Sequence, residues 1–478
     1  MTAAGDPPAV VWFRDDLRVS DHPALHAAAA SGAPLVLLYV LDDSGTAARR
    51  LGAAGRWWLH LSLAALTASL EKRGARLLLR AGRADEAVPE VLRETGARDL
   101  YLNRRYAVGE RRQDEAVHGA AARLGVAVHD FTASLLHEPG DVLTGEGERF
   151  SVFTPFFRAL TRQGAPRSPL PAPSHLTGGA VPVRSESLDD LRLLPSPDWA
   201  AGLRETWTPG EKGAHRRLEE FVHDRLPRYA DERDAPAAEA TSRLSPHLRF
   251  GELSPYQVWH GVRRAEGSAA AKEKFLTELG WREFDYDLLS TREHLDTENM
   301  HRDFDRFPWA DPDDSRIRAW QHGRTGFPLV DAGMRQLWHT GWMHNRVRMV
   351  AASFLVKNLR LDWRIGEQWF WDTLVDADPA NNAAQWQWVA GSGADAAPFF
   401  RILNPVAQAT RFDPDGEYIR RWVPELRDRT GKALHEPWTV DGGLLADPRV
   451  GARPYPAPIV DLKRSRREAL DAFERMRR

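Results

Sequence analysis

Between residues 9 and 130, five short apolar runs (AVVWF, PLVLLYV, ARLLLRA, ARDLYLN and VAVHDF) alternate with segments of helical period such as Asp21 to Ala30 and Gly55 to Arg73. No other feature constrains the chain as strongly. Short strands that alternate with helices in this order imply a parallel sheet with helices on both faces. The first run is not followed by G-x-G-x-x-G, which argues against a dinucleotide at the usual Rossmann position. From about residue 210 the apolar period becomes helical: Ala214, Leu218, Phe221 and Val222, then Phe275, Leu276, Leu279 and Phe284, then Val350, Phe354 and Leu355. Eight prolines between Gly164 and Pro209 mark an extended connector before it. The expected organisation is therefore an α/β domain over 1–132, a connector over 133–209 and an all-α domain over 210–478.

The absence of cysteine excludes disulfides, thiolate nucleophiles, Cys-ligated zinc and cysteine-held iron–sulfur clusters, so redox chemistry requires an organic cofactor. The compartment is expected to be reducing. The opening MTAAGDPPAVVWFRDDLRVSDHPAL interrupts its apolar run with Arg14, Asp15 and Asp16, which reads as neither signal peptide nor membrane span and implies a cytoplasmic protein. A net charge of -2 opposes a uniformly basic nucleic-acid binder. The charge is nevertheless segregated: Ala332 to Leu361 hold Arg335, Arg346, Arg348, Lys357 and Arg360 and no carboxylate. Eighteen tryptophans are the compositional anomaly. Burial in the core is the ordinary use for most of them. The Arg-rich end, KRSRREALDAFERMRR, reads as an amphipathic helix with a solvated basic face.

Four stretches carry polar groups that a structural helix does not need. In VDADPANNAAQWQWVAGSG, Asp378 suits an N-cap, Pro379 the first helical position and Gly391 the far end, so the spacing predicts a helix over Pro379 to Ala390 carrying several side-chain amides and two tryptophans. In KEKFLTELGWREFDYDLL, Glu278, Trp281, Arg282 and Asp285 share one helical stripe. That stripe is either a surface Glu278–Arg282 pair with an incidental Trp or a stacking plane beside an acceptor and a cation, which suits a nucleobase and its phosphate. GWMHNRVRM packs His344, Asn345, Arg346 and Arg348 too densely for a core helix, and no second metal ligand lies at the required spacing. The hydroxyls of TSRLS, Thr241 to Ser245, precede a helical pattern and suit either a cap or a phosphate.

Together with VVWFRDDLRVSDHPAL, TSRLSPHLRFGELSP, LDWRIGE, APFFRILNP and PELRD, these stretches form a collinear series that resembles the photolyase/cryptochrome family over nearly the whole chain. The resemblance implies a Rossmann-like α/β antenna domain, a helical FAD domain and light-driven electron transfer to UV-damaged DNA by a flavoprotein monomer without a metal. By matched motif, Tyr229, Thr241, Ser242, Leu244 and Ser245 would hold the FAD phosphates, and Arg348, Asp376 and Asp378 the flavin and its ribityl chain. Asn382 would face flavin N5. Glu278, Trp281, Asn345, Met349 and Trp388 would contact the lesion, and Arg233, Arg282, Arg346 and Arg401 the DNA backbone. Trp386, Trp363 and Trp309 would form the chain that photoreduces FAD. For an antenna the resemblance implies methenyltetrahydrofolate near Glu110, with Trp57 and Trp58 as stacking candidates; a deazaflavin or no antenna are the alternatives.

Within the family, Met349 favours cyclobutane pyrimidine dimers, because the branch that repairs (6-4) products resembles a His pair in this segment and needs a proton donor. Asn382 is the repair-type residue, where plant cryptochromes resemble Asp. The lesion would be flipped out of the helix, as photolyases in general do. Four phosphate-directed arginines imply a log K against log salt slope of about -3.5. The rivals are a blue-light sensor of cryptochrome type, disfavoured because the chain stops soon after PYPAPIVDLK, a (6-4) photolyase, and a flavin-containing DNA binder without repair.

Overall fold

A computed structural model describes residues 7–45, 48–179, 183–395, 400–440 and 454–478. In chain order the α/β part runs β1 (Ala9–Phe13), α1 (Pro23–Ala30), β2 (Leu35–Leu41), α2 (Ala53–Glu71), β3 (Leu77–Ala81), α3 (Ala84–Thr95), β4 (Asp99–Asn103), α4 (Val108–Arg123) and β5 (Ala127–Phe131). Then follow α5 (Phe153–Arg162), α6 (Ala201–Thr206), α7 (Glu211–Glu220), α8 (Tyr229–Glu232), α9 (Ser245–Arg249), α10 (Pro255–Arg264) and α11 (Ala269–Leu289). The remaining helices are α12 (Asp314–Gln321), α13 (Pro328–Thr340), α14 (Asn345–Ser353), α15 (Trp363–Thr373), α16 (Asn381–Ala390), α17 (Pro405–Phe412), α18 (Glu417–Trp422), α19 (Gly431–His435) and α20 (Leu462–Arg477).

The five strands are parallel in the order β3-β2-β1-β4-β5, with Ala9 of β1 in register with Leu35 of β2 and Asp99 of β4. β1 and β2 are buried at every position, as a central parallel strand covered on both faces must be. The strand order reverses between β1 and β4, where α/β sheets usually admit a ligand. Here Arg14 ion-pairs with Asp114 at 3.3 Å and lies 4.4 Å over the Trp12 ring, while Arg105 ion-pairs with the same carboxylate. Trp12, Arg14, Arg105 and Asp114 thus form a charged and aromatic cluster at the end of β1.

The chain forms two compact units that do not follow the linear division read from composition. One comprises residues 1–227, 242–293 and 378–380, and the other 228–241, 294–377 and 381–478. The connector belongs to the first unit because it is not merely extended. Phe153, Phe156 and Leu160 give α5 an apolar stripe, and Phe157 packs against α11 at Gly280, where any Cβ would overlap the Phe157 ring. The second unit is built around a helical core that includes Trp320, Phe354, Trp363, Phe370 and Trp386.

Candidate active site

In the first unit α11 is the central element. Ser268 caps it by accepting from the Ala271 N–H at 3.1 Å, and it carries Glu278, Trp281, Arg282 and Asp285 along one stripe. Its other positions hold the segment after β5: Glu283 accepts from the N–H groups of Leu136 and His137, and Asp287 from that of Gly140. Burial lifts the Glu283 carboxyl to about 7. Arg282 is drawn into this docking. It is only 8% exposed, donates to the Ser134 carbonyl at 2.6 Å and lies 4.7 Å over the Tyr286 ring. The expected DNA contact at Arg282 is therefore corrected: its guanidinium is committed inside the protein. Tyr286 donates to Asp378 Oδ2 at 2.8 Å, and burial together with that carboxylate pushes the phenol pKa well up.

Asp378 also accepts from the Ala380 N–H at 2.9 Å through its other oxygen, and α16 starts at Asn381, two residues later than the sequence pattern suggests. At residues 242–245, Ser242 Oγ faces the Leu244 N–H at 3.4 Å, Arg243 takes a positive φ of 53° and Leu244 is right-handed. Alternating left- and right-handed residues turn successive N–H groups toward one point and form an anion-binding concavity. Ser245 is exposed at the start of α9.

The antenna candidates fare differently. Trp57 and Trp58 are 1% and 0% exposed. Trp58 donates to Glu252 at 2.9 Å and packs on Trp207, His247 and Phe250, so both indoles are core and offer no face to a folate. Glu110 sits in the first turn of α4 and accepts from the Ala107 N–H at 3.3 Å; desolvation raises its pKa.

In the second unit α14 opens on GWMHNRVRM. His344 is the N-cap, its Nδ1 accepting from the Arg346 N–H at 3.2 Å, and burial lowers its pKa to about 4. Asn345 is exposed and Met349 follows one turn later on the same side. Arg346 pairs with Asp234 at 2.8 Å and lies over Phe412, and Arg233 lies 5.3 Å over the ring of the buried Tyr229. Arg348 donates to the Met343 carbonyl at 2.7 Å and to Asp376 Oδ2 at 2.8 Å. Thr241 is half-buried and Arg401 exposed. Of the motif APFFRILNP, residues 397–399 lie outside the described residues.

Asn382 shows the clearest chemistry. Its Nδ2 donates to Glu367 Oε1 at 2.8 Å and to the Glu367 carbonyl at 3.1 Å. Two oxygens on one side identify the nitrogen, so Oδ1 is the atom left to accept from a ligand N–H. Glu367 lies within the quoted motif LDWRIGE, yet sequence reasoning gave it no role. A carboxylate on the otherwise apolar face of Trp363, Phe370 and Trp371 is a signal that it must find a partner.

The same helix α16 also carries a structural amide. Gln387 is fully buried, accepts from the Met300 N–H at 2.8 Å and donates to the carbonyls of Leu295 and Glu298. Trp386 lies against α15 at Gly366, where a Cβ would fall inside the indole, three residues past Trp363. Trp363 donates to Asn299 Oδ1 at 2.9 Å. Trp309 packs on the same core, and the Ala310 N–H donates to the Arg360 carbonyl at 2.8 Å, just ahead of Trp363. Trp388 is half-buried and donates to the Asp395 carbonyl at 3.1 Å.

Taken by itself, each unit carries groups suited to part of FAD. The first unit supplies a concavity of N–H groups suited to a pyrophosphate. The second supplies an acceptor amide oxygen and a guanidinium–carboxylate pair suited to a flavin and its polyol chain. Among the described residues no group of three or more His, Cys, Asp or Glu is placed to hold a metal, and no helix is long and apolar enough to cross a membrane.

Residues 9–174 match the family model described as DNA photolyase, and residues 275–475 that of the FAD binding domain of DNA photolyase. A deoxyribodipyrimidine photo-lyase of Agrobacterium fabrum is 48% identical over 98% of this chain and 97% of its own length. Cryptochrome-1 of Arabidopsis thaliana is 38% identical over 98% of this chain and 70% of its own. The crystal structure of a bacterial class III photolyase from Agrobacterium tumefaciens matches with a TM-score of 0.94 at 46% identity and full coverage of both chains. The fold and these matches thus define a DNA photolyase/cryptochrome protein. The chain belongs to the DNA photolyase family, and the Agrobacterium photo-lyase is more similar to it than the Arabidopsis cryptochrome.

Proposed function

We propose that this chain repairs cyclobutane pyrimidine dimers in UV-damaged DNA with light, as a deoxyribodipyrimidine photo-lyase acting as a monomer in the cytoplasm. FAD, when bound in its reduced form, supplies the light-excited electron that opens the dimer and takes that electron back. The observation that carries the reading is the fixed amide of Asn382: Glu367 holds its nitrogen, so its oxygen would be free to accept from a reduced flavin ring without placing a charge there.

The protein's remaining work is binding and positioning. Ser242, Leu244 and Ser245, with Tyr229 and Thr241, hold the FAD phosphates. Arg348, Asp376 and Asp378 hold the ring and its chain. Trp281 and Trp388 stack on the flipped bases, each contact offsetting roughly 1–3 kcal/mol of the cost of extrusion. Glu278, Asn345 and Met349 line the lesion, and Arg233, Arg346 and Arg401 hold the flanking phosphates. Trp386, Trp363 and Trp309 would form the path by which electrons reach bound FAD.

Repair of (6-4) products is less well supported. Met349 carries no proton, and His344 is kept neutral by burial with Nδ1 spent on a cap. As antenna we retain methenyltetrahydrofolate near Glu110, without Trp57 or Trp58 as partners; a deazaflavin or no antenna remain the alternatives, and the absorption spectrum of the purified protein decides among the three. The activity is tested by mixing the reduced protein with UV-irradiated oligo(dT) and illuminating. Thymine absorbance should recover, and no recovery would refute repair.

A further inference from the structure

Trp281 does not stand alone on α11. Phe153, the first residue of α5, lies flat against it, with ring centroids 3.7 Å apart and planes within 9°. Phe157, one turn further along α5, stacks on Phe153 in turn at 5.6 Å and 21°. The column is locked from the side by Phe156, which meets Phe284 at 5.2 Å, and by the edge of Phe284 against Trp281 at 5.9 Å. It exists because residue 280 is glycine: a side chain there would collide with Phe157 and lift α5, and Phe153 with it, off α11. Phe153 itself is 5% exposed, too buried to meet a ligand. A flat partner on one face leaves a planar ligand only the other face of the indole and fixes the plane in which it must lie.

We propose that Phe153 is a positioning residue for lesion recognition: it backs Trp281, so that the indole presents one pre-set face to a flipped pyrimidine dimer. The proposal rests on the reading of Trp281 as the stacking platform. An indole already ordered in the free protein loses no rotamer freedom on binding, which makes the platform tighter without adding a contact to DNA. Undamaged DNA, whose bases stay stacked in the duplex, does not use the platform, so Phe153 should act on discrimination rather than on DNA affinity as a whole.

The test uses the full-length FAD-loaded protein in the dark. Its Kd is measured for a duplex carrying one cyclobutane dimer and for the same duplex undamaged. Loss of one aromatic pair predicts that Phe153→Leu weakens binding to the damaged duplex about fivefold and leaves the undamaged one unchanged. Phe153→Tyr, which restores the ring, should return the damaged-duplex Kd to within about twofold of wild type. If Phe153→Leu does not retain FAD, Phe153→Met, close in volume but without a ring, takes its place with the same expectation. Wild-type discrimination in the ringless variant, or equal weakening on both duplexes, overturns the proposal. Trp281→Ala is run in parallel: if it leaves damaged-duplex binding intact, the platform itself is wrong, a failure distinguishable from loss of the Phe153 role alone.

Discussion

Replacing Asn382 by Asp changes one atom group and reverses its chemistry. Nδ2 stands 2.8 Å from Glu367 Oε1, so the variant would set two carboxylate oxygens at that distance. Two unit charges so placed repel by about 6 kcal/mol at an effective dielectric of 20, equivalent to roughly 4 pKa units. Asn382 is only partly buried, and about half of that survives solvent screening. The pair then keeps one proton until roughly pH 6 to 7, titrating as a unit rather than as either residue. Because the folded pKa lies above the unfolded value, the associated stability is present at low pH and lost as pH rises through the transition. The assay is the absorption spectrum of bound FAD between pH 5 and 9: flat for wild type, with a single transition for Asn382→Asp. That transition should vanish when Glu367→Gln is added. A variant spectrum as pH-independent as wild type, or a transition that survives the second substitution, refutes the assignment of the Asn382–Glu367 pair.

Trp386→Phe should abolish photoreduction of FAD, followed by bleaching under blue light, while chemically prereduced protein still repairs dimers. His344, whose folded pKa of about 4 lies below its ordinary 6.5, confers stability that is complete above pH 6.5 and lost as pH falls toward 4. Urea midpoints should report a loss of about 2 kcal/mol at pH 5 that disappears in His344→Asn, which keeps a capping oxygen. With Arg282 committed to Ser134, three arginines remain for phosphates, and Kd measured from 50 to 200 mM salt should give a log–log slope of about -2.7. A slope as steep as about -3.5 would return Arg282 to the DNA.

The central strands β1 and β2 were legible because parallel strands buried on both faces leave uninterrupted apolar runs, and α11 and α14 because their polar residues recur at helical spacing. The connector was not. The proline-rich run begins only after α5, whose Phe153, Phe156, Phe157 and Leu160 fall at i, i+3, i+4 and i+7. Arg282 was misleading because a residue four positions from Glu278 resembles a surface partner. Only the docking of residues 134–140 onto α11 shows it turned inward. Local sequence cannot report which face of a helix a distant segment will cover. Gln387 illustrates the same limit, since its amide reads like those of Asn381 and Asn382 until its three backbone partners are seen.

The missing side chain at Gly366 also limits how this protein can change over time. The Trp386 ring and the Leu355 methyl together fill the space a methyl group at 366 would need. A mutation there is accessible only alongside a smaller ring at 386, and that second change would remove the residue proposed above as an electron donor. The two positions should therefore drift together or not at all, and a lineage that abandons photoreduction is the one in which 366 becomes free to vary.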